Sequence, residues 1–252
     1  MMRMSSEAPR SEFEKAWQLR FQGFAESKED DAGIAGWSSS GLECRFRFFS
    51  RVWKEGAAGS RWLDAGCGAG TYTRFLAGRG LWMVGSDYSL PTLRKAAQRD
   101  SCGIRWVLAD ITHLPLRPGA FSGVLCFGVM QALADSRPAV REMAEVVQPG
   151  GEVWVDALNA WCLPNLGERM RRRLRGVPMH LRYEYPGRLR RQMEESGLTE
   201  IRSYWVPILP RHWQRWQPYL ETAAARWMFR RLPLLGMLFS HAFLVCGRRP
   251  PN

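Results

Sequence analysis

Three glycines alternate in the segment RWLDAGCGAGTYTRFL, residues 61–76: Gly66, Gly68 and Gly70. A glycine has no Cβ, so it adopts backbone conformations that other residues avoid and lets a ligand approach the main chain closely. An apolar run precedes these glycines and a helical pattern follows them, which predicts a strand, a tight corner and a helix. Corners of this kind bind adenosine-bearing cofactors.

Two carboxylates stand near this corner. Asp64 precedes the first glycine by two residues, and Asp87 ends the next predicted strand, 17 residues after Gly70. A carboxylate in the position of Asp87 can accept hydrogen bonds from both hydroxyls of a ribose. The dinucleotide fingerprint GxGxxG requires a glycine at its sixth position, where this chain has Thr71. The pattern therefore argues against NAD.

The elements that must position these residues alternate along the chain. Short apolar runs predict strands, and helical patterns lie between several of them. The strands are expected at 61–66, 81–87, 104–110, 121–128, 151–158, 198–207 and 240–249, and the helices at 71–77, 89–100, 138–147 and 185–197. Runs that are apolar throughout are typical of a parallel sheet covered on both faces, so we predict a doubly wound α/β fold.

Two further regions flank or interrupt this alternation. Amphipathic patterns at 11–30 and 36–56 predict an N-terminal helical cap over 1–58, followed by one domain over 59–252. Within that domain, an α-rich insertion is expected at 159–185 and a segment rich in Trp and Arg at 207–238.

Four blocks in order carry a family resemblance: LDAGCGAGTYT, VGSDYS, LADITHLPLRPGAFSGVLCFGVMQAL and VVQPGGEVWV. They resemble class I S-adenosylmethionine (SAM)-dependent methyltransferases over residues 60–157, and the pattern is similar to the small-molecule enzymes of the ubiquinone/menaquinone type. The resemblance implies SAM as cofactor and S-adenosylhomocysteine as product. It also implies a mostly parallel, seven-stranded Rossmann-like sheet with an antiparallel last strand.

The resemblance also implies which residues contact the cofactor. Asp64 would hold the amino group, Asp87 the ribose diol and Asp110 the adenine amino group. The full expected set is Asp64, Gly66, Cys67, Gly68, Gly70, Tyr72, Asp87, Tyr88, Asp110, Ile111 and Phe127. Roles as turn formers for Asp64 and Asp110, and as a small packing residue for Cys67, stay open as alternatives.

Methyl transfer from a sulfonium is an in-line displacement, so the protein must align the reactants and exclude water. An acceptor hydroxyl would need a base, whereas a carbon or amine acceptor needs positioning alone. The candidates for such a role are Gln131, His113 and Asp156, followed by His180 and Tyr183. For each of them a structural role is the alternative.

The net charge of +12 is uneven, because residues 151–252 hold 17 Lys and Arg against 8 Asp and Glu. This half is expected to build the acceptor pocket and to meet an anionic partner. Its tryptophans suggest an amphiphilic small-molecule acceptor met at an anionic membrane surface. They are Trp161, Trp205, Trp213, Trp216 and Trp227. A solvated basic face with ordinary core tryptophans is the alternative reading.

Two other functions are alternatives to small-molecule methylation. An RNA or DNA methyltransferase would use the basic charge, but the chain has no NPPY-like or DPPY-like segment for a flipped base. We therefore do not expect a nucleic-acid partner. A protein that binds SAM without catalysis is the third alternative, since no base is obvious.

Cysteine and histidine usage bounds the remaining chemistry. The six cysteines form no CxxC pair and the four histidines lack zinc-motif spacing, so we expect reduced thiols and no metal. The N-terminus shows no apolar signal core, and the apolar run 232–246 is too short to span a bilayer. We expect a cytoplasmic protein, peripheral to the membrane if the lipid hypothesis holds, with its oligomeric state open.

Overall fold

The computed structural model describes residues 11–54, 56–209 and 211–251, and a seven-stranded sheet organises this part of the chain. The strands are β1 (Arg61–Ala65), β2 (Trp82–Asp87), β3 (Arg105–Leu108), β4 (Phe121–Cys126), β5 (Val147–Leu158), β6 (Thr199–Val206) and β7 (Ala242–Arg248). Their order is β3-β2-β1-β4-β5-β7-β6, and the first five are parallel. Strand β7 runs antiparallel to both of its neighbours. This confirms the predicted doubly wound sheet with an antiparallel last strand.

Helices precede the sheet, cover its faces and form much of the two long segments that connect β5 to β6 and β6 to β7. They are α1 (Glu12–Ser27), α2 (Asp31–Ile34), α3 (Ser39–Val52), α4 (Thr71–Ala77), α5 (Leu90–Gln98), α6 (Arg137–Val146), α7 (Leu163–Leu174), α8 (Pro186–Glu195), α9 (Gln217–Leu220), α10 (Ala223–Arg231) and α11 (Pro233–Phe239). Short 3₁₀ turns occupy Met130–Ala132 and Arg211–Trp216. Helix α7 lies in the expected insertion, and α9 to α11 lie in the Trp- and Arg-rich segment.

Local sequence explains where these helices begin. The Ser11 hydroxyl accepts from the Glu14 N–H while the Glu14 carboxylate accepts from the Ser11 N–H, which is a capping box at the start of α1. Ser89 accepts from the Thr92 N–H at the start of α5. Asp30 caps α2 through the Gly33 N–H, and α1 ends at Ser27, three residues before the end of the amphipathic pattern at 11–30.

The core has two layers, one on each face of the sheet. On one face α6 and α8 pack Met143, Leu189 and Met193 against the strands. On the other face the packing is aromatic, with Phe49 of α3 and Tyr72 of α4 among its members. Because both faces are covered, the strands are apolar throughout rather than alternating.

The chain enters the sheet at β1 and moves outward to β2 and β3, then returns to add β4 on the other side. This reversal opens a crevice at the carboxyl ends of β1 and β4, where ligands bind in open α/β sheets. The N-terminal helices lie beside this crevice and are fastened there by ion pairs. Asp31 bonds Arg74 of α4 at 2.5 Å and Arg99, one residue past α5, at 2.8 Å.

Candidate cofactor and acceptor site

The glycine corner after β1 has a left-handed backbone at all three positions, with φ of +80° at Gly66, +52° at Gly68 and +83° at Gly70. A Cβ on Gly66 would lie 2.2 Å from Val129 Cγ2, and one on Gly70 would lie 2.7 Å from the Trp106 ring. A Cβ on Gly68 would meet only Ala35, at 3.7 Å. Packing within the protein therefore requires Gly66 and Gly70, whereas Gly68 leaves its space to the crevice.

Asp87, at the end of β2, holds this corner in place. The Gly68 N–H donates to Asp87 Oδ2 at 3.0 Å, and the Ser89 N–H donates to Oδ1 at 2.9 Å. Burial raises the pKa of Asp87 to about 6, against the opposing effect of these N–H donors. The carboxylate lines the crevice and retains acceptor capacity for a ligand, since each oxygen can accept two hydrogen bonds.

The crevice contains a cavity of about 510 Å³ with two chemically different ends. One end is lined by the glycine corner and by side chains that follow β2, β3 and β4. These are Gly66, Gly68, Asp87, Tyr88, Asp110, Ile111 and Phe127. The other end is mainly apolar and is formed by the N-terminal helices and the turn after β4. It includes Trp17, Phe21, Ile34, Trp37, Ala132 and Leu133.

Seven of the eleven expected cofactor residues line the cavity, and they are the seven named above at its first end. The other four, Asp64, Cys67, Gly70 and Tyr72, do not line it. Asp64 is buried behind the corner, where its Oδ2 accepts from the Thr73 hydroxyl at 2.5 Å. Burial, partly offset by this bond, raises the pKa of Asp64 to about 7. Its expected contact with the cofactor amino group stays a prediction.

The candidate catalytic residues lie in different places. Asp156 is buried, with Oδ2 accepting from Arg45 Nε at 3.0 Å and Oδ1 accepting from the Gly128 N–H at 2.6 Å. Gln131 donates through Nε2 to the Gly128 carbonyl at 2.7 Å. Both residues therefore shape the backbone that follows β4. His113 does line the large cavity, where it adjoins Asp110 at the expected adenine end.

His180 and Tyr183 line neither this cavity nor a smaller one beside it. Burial and nearby arginines lower the pKa of His180. Tyr183 lies beneath the Arg169 guanidinium, 5.8 Å from its carbon, and burial raises the pKa of its phenol. Their positions support the structural alternative for both.

A second cavity of about 180 Å³ adjoins the first and shares with it Trp17, Phe21, Ala35 and Trp37. Arg45, Gln131 and His241 supply polar groups to its wall. Sequence reasoning missed His241, although it directly precedes β7. Because that strand is antiparallel, its first residue lies at the carboxyl edge of the parallel strands, where ligands bind.

Electrostatics keep His241 neutral. Burial first, and the nearby Arg45 second, lower its pKa to about 4. A neutral imidazole has one ring nitrogen that accepts a hydrogen bond, so it can hold a hydroxyl or an amide. The guanidinium of Arg45 is itself fixed by Asp156 and lies 4.5 Å over the Trp37 ring.

The second half of the chain contributes less to these cavities than we expected. Helices α1 and α2 and the segment before α3 supply most of the apolar end of the large cavity. The second half reaches only the small cavity, through Leu158, Leu181, Ile208 and His241. The reason is topological, since α1 crosses the crevice and bonds the turn after β4, where Ala134 N–H donates to Glu14 at 3.0 Å.

The residues at the first end fit a bound SAM. Gly68 offers backbone that no side chain covers, Asp87 offers a partly buried carboxylate for a diol, and Ile111 and Phe127 offer apolar surfaces for a purine. Nearby, the Tyr72 hydroxyl is buried without a hydrogen-bond partner among the described residues. These groups suit an organic ligand. No group of three or more side chains that could hold a metal ion occurs in the described ranges.

Residues 63–155, which run from β1 into β5 and include most of the cofactor end of the cavity, are similar to a known family of domains. These residues match the family described as "Methyltransferase domain". The chain is 33% identical over 108 residues to a demethylmenaquinone methyltransferase of Corynebacterium urealyticum, covering 43% of this chain and 46% of that protein. It is 36% identical over 104 residues to a malonyl-[acyl-carrier protein] O-methyltransferase of Pseudescherichia vulneris, covering 41% of each. The chain thus spans less than half the length of either relative.

Among solved structures, the fold is similar to magnesium protoporphyrin IX methyltransferase from Synechocystis PCC 6803, solved with S-adenosylhomocysteine. The TM-score is 0.62 at 14% identity, covering 94% of this chain and 100% of that one. At this identity the likeness concerns the fold. No helix among the described residues is both long and apolar enough to cross a bilayer.

Proposed function

We propose that this chain transfers the methyl group of SAM to a small amphiphilic acceptor. The observation that carries this proposal is the pair of adjoining cavities. The cofactor end of the large cavity is built from carboxylates and glycine backbone. The other end of that cavity and the small cavity beside it are built from aromatic and aliphatic side chains with a few polar groups. Sites that bind small molecules combine an apolar wall with a few placed polar groups in this way.

SAM supplies an electrophilic methyl group when it is bound, and the protein supplies orientation and exclusion of water. Asp87 would accept the two ribose hydroxyls, and Asp110 would accept from the adenine amino group. Phe127 and Gly128 form the wall after β4, and the bond from the Gly128 N–H to Asp156 fixes that wall. Asp156 is thus a positioning residue, through Gly128.

The acceptor would occupy the aromatic end, bounded by Trp17, Phe21 and Trp37. His241 and Arg45 face the small cavity beside it and can bind a polar head group, His241 as an acceptor and Arg45 as a donor. A molecule with an apolar body and one hydroxyl, carbonyl or carboxylate satisfies both regions. The two relatives above are named for a quinone and for an acyl-carrier thioester, which agrees with this class.

The test is a product search with isotopically labelled methyl-SAM. The protein is incubated with a lipid extract, with demethylmenaquinone and with a malonyl thioester, and labelled products are identified by mass spectrometry. We expect label in an organic-soluble product and the release of S-adenosylhomocysteine. A protein that binds SAM in calorimetry but labels nothing in any fraction would refute the transferase proposal.

Matched variants separate the two ends of the site. Asp87→Ala should weaken SAM binding, because it removes the ribose acceptor. His241→Phe should leave SAM affinity unchanged and raise the KM for the acceptor, because His241 lies outside the cofactor end. Loss of SAM affinity in the His241 variant would contradict the proposed position of the acceptor site.

A further inference from the structure

Exposed apolar side chains concentrate on two segments, 161–179 and 213–239. Of the 18 large hydrophobic residues that are exposed in the described part of the chain, 13 fall in these 46 positions. They include Trp161, Trp213, Trp216, Trp227, Leu174 and Leu234. Together these two segments form what we call the aromatic–basic surface. Large exposed apolar patches on proteins mark interaction sites.

The same surface is strongly cationic. Its two segments contain nine arginines and two glutamates, a net +7 of the +12 carried by the whole chain. One of the glutamates, Glu221, pairs with Arg47 and Arg51 of α3. Arginines also lie over the exposed rings, at 5.3 Å for Arg215 on Trp216 and 5.9 Å for Arg231 on Trp227.

The two segments meet at the carboxyl edge of the sheet. Helix α11 packs against α7, and the Asn159 side chain donates to the Met237 carbonyl at 2.6 Å. Leu181, Ile208 and His241, which line the small cavity, lie two to five residues from the ends of these segments. The surface therefore surrounds the side of the molecule from which the second half reaches the proposed acceptor site.

We propose that the aromatic–basic surface docks on an anionic phospholipid bilayer. Indole rings favour the interface between headgroups and acyl chains, and arginines favour anionic headgroups, so the two features together match one partner. Core packing does not explain rings that are half or more exposed, such as Trp213 at 57% and Trp227 at 56%. The inference rests on the proposed function in one respect, that an amphiphilic acceptor would be collected from this bilayer.

The experiment is co-sedimentation of the full chain with vesicles, without any acceptor. Vesicles of phosphatidylcholine with an equal share of phosphatidylglycerol are compared with phosphatidylcholine alone, at low and at high salt. We expect binding to the anionic vesicles that weakens at high salt, because the headgroup attraction is screened. Calorimetry with SAM on the same preparation tests the cofactor site separately, so failure of either proposal is recognised by itself.

Matched variants test the surface itself. Trp227→Ser should weaken partitioning about tenfold. Trp82→Ser should not, although Trp82 is 66% exposed, because it lies outside the surface. Arg173→Gln and Arg230→Gln should each weaken it about fivefold, whereas Arg191→Gln on α8, 71% exposed, should have little effect. All variants should retain SAM binding.

Three results would overturn the proposal. The first is equal binding to neutral and anionic vesicles, or none to either. The second is a concentration-dependent dimer that Trp227→Ser abolishes, with no vesicle binding, since the surface would then cover a second copy. The third is salt-dependent binding to tRNA in the absence of vesicle binding, which would identify a nucleic acid as the partner.

Discussion

Replacing Asp87 with alanine tests the assignment of the cofactor end most directly. The carboxylate accepts from two backbone N–H groups, of Gly68 and Ser89, and lines the cavity. If it also accepts both hydroxyls of a ribose, its loss removes two charge-assisted hydrogen bonds from the complex. At about 1.5–3 kcal/mol each, these bonds contribute at least about 3 kcal/mol to SAM binding. The expected result is an increase in Kd on the order of 100-fold.

The effect on folding should be smaller, because two contributions oppose each other. Burial raises the pKa of Asp87 from 3.8 to about 6, so at neutral pH the ionised group costs the fold about 3 kcal/mol. Alanine removes that cost but leaves two N–H groups without acceptors, at about 1–3 kcal/mol each. We therefore expect the free energy of unfolding to change by no more than about 3 kcal/mol.

Asp100 offers a matched control for this experiment. It too accepts from two backbone N–H groups, of Cys102 and Ile104, each at 2.7 Å, but does not line the cavity. Titration calorimetry should show unchanged SAM affinity for Asp100→Ala and the large loss for Asp87→Ala. A folded Asp87→Ala protein whose Kd rises less than about threefold would refute the ribose role, since even one such bond exceeds that value.

Three other predictions concern the glycine corner and its two carboxylates. Gly66→Ala should destabilise the fold, because its Cβ meets Val129 at 2.2 Å, whereas Gly68→Ala should cost only about 1–2 kcal/mol in urea unfolding but strongly weaken SAM binding. If the ionised form of Asp87 binds the ribose as proposed, SAM affinity should be full well above pH 6 and fall by up to about tenfold per pH unit below it, and calorimetry across pH should find no such slope in Asp87→Ala. The pKa of Asp64 is raised from 3.8 to about 7, so its ionisation lowers stability as pH rises from 4 to 7. Asp64→Asn should therefore unfold at higher urea than the parent protein. Its free energy of unfolding should be higher by up to about 4 kcal/mol at pH 8 and by less at pH 5, and no increase at pH 8 would contradict a buried, unpaired charge.

Local sequence patterns predicted the part of the site that follows consecutive strands. Asp87 is the last residue of a strand of the parallel sheet, and Gly66, Gly68 and Asp110 each lie shortly after one. Because such strand ends meet at one edge, their order in the sequence already places them together. The helix start at Ser89 and the antiparallel last strand were predicted correctly, the latter from the family resemblance.

Tertiary structure alone decided which glycine faces open space in the crevice and which side chains form the apolar end of the cavity. Gly66 and Gly70 look the same as Gly68 in the sequence, but Val129 and Trp106 arrive from other parts of the sheet and fill the space beside the first two. Likewise, Trp17 reaches the crevice only because α1 folds back across it.

The chain by itself therefore determined the fold class and, through the family resemblance, the cofactor type. Its short-range patterns also predicted which carboxylates end neighbouring strands. The aromatic end of the cavity, the contact of Arg45 with Asp156 and the position of His241 depend on contacts between residues far apart in the chain, such as the 111 positions that separate Arg45 from Asp156, or on strand direction. Long-range contacts follow from how the helices and strands pack together, so only the folded structure revealed them.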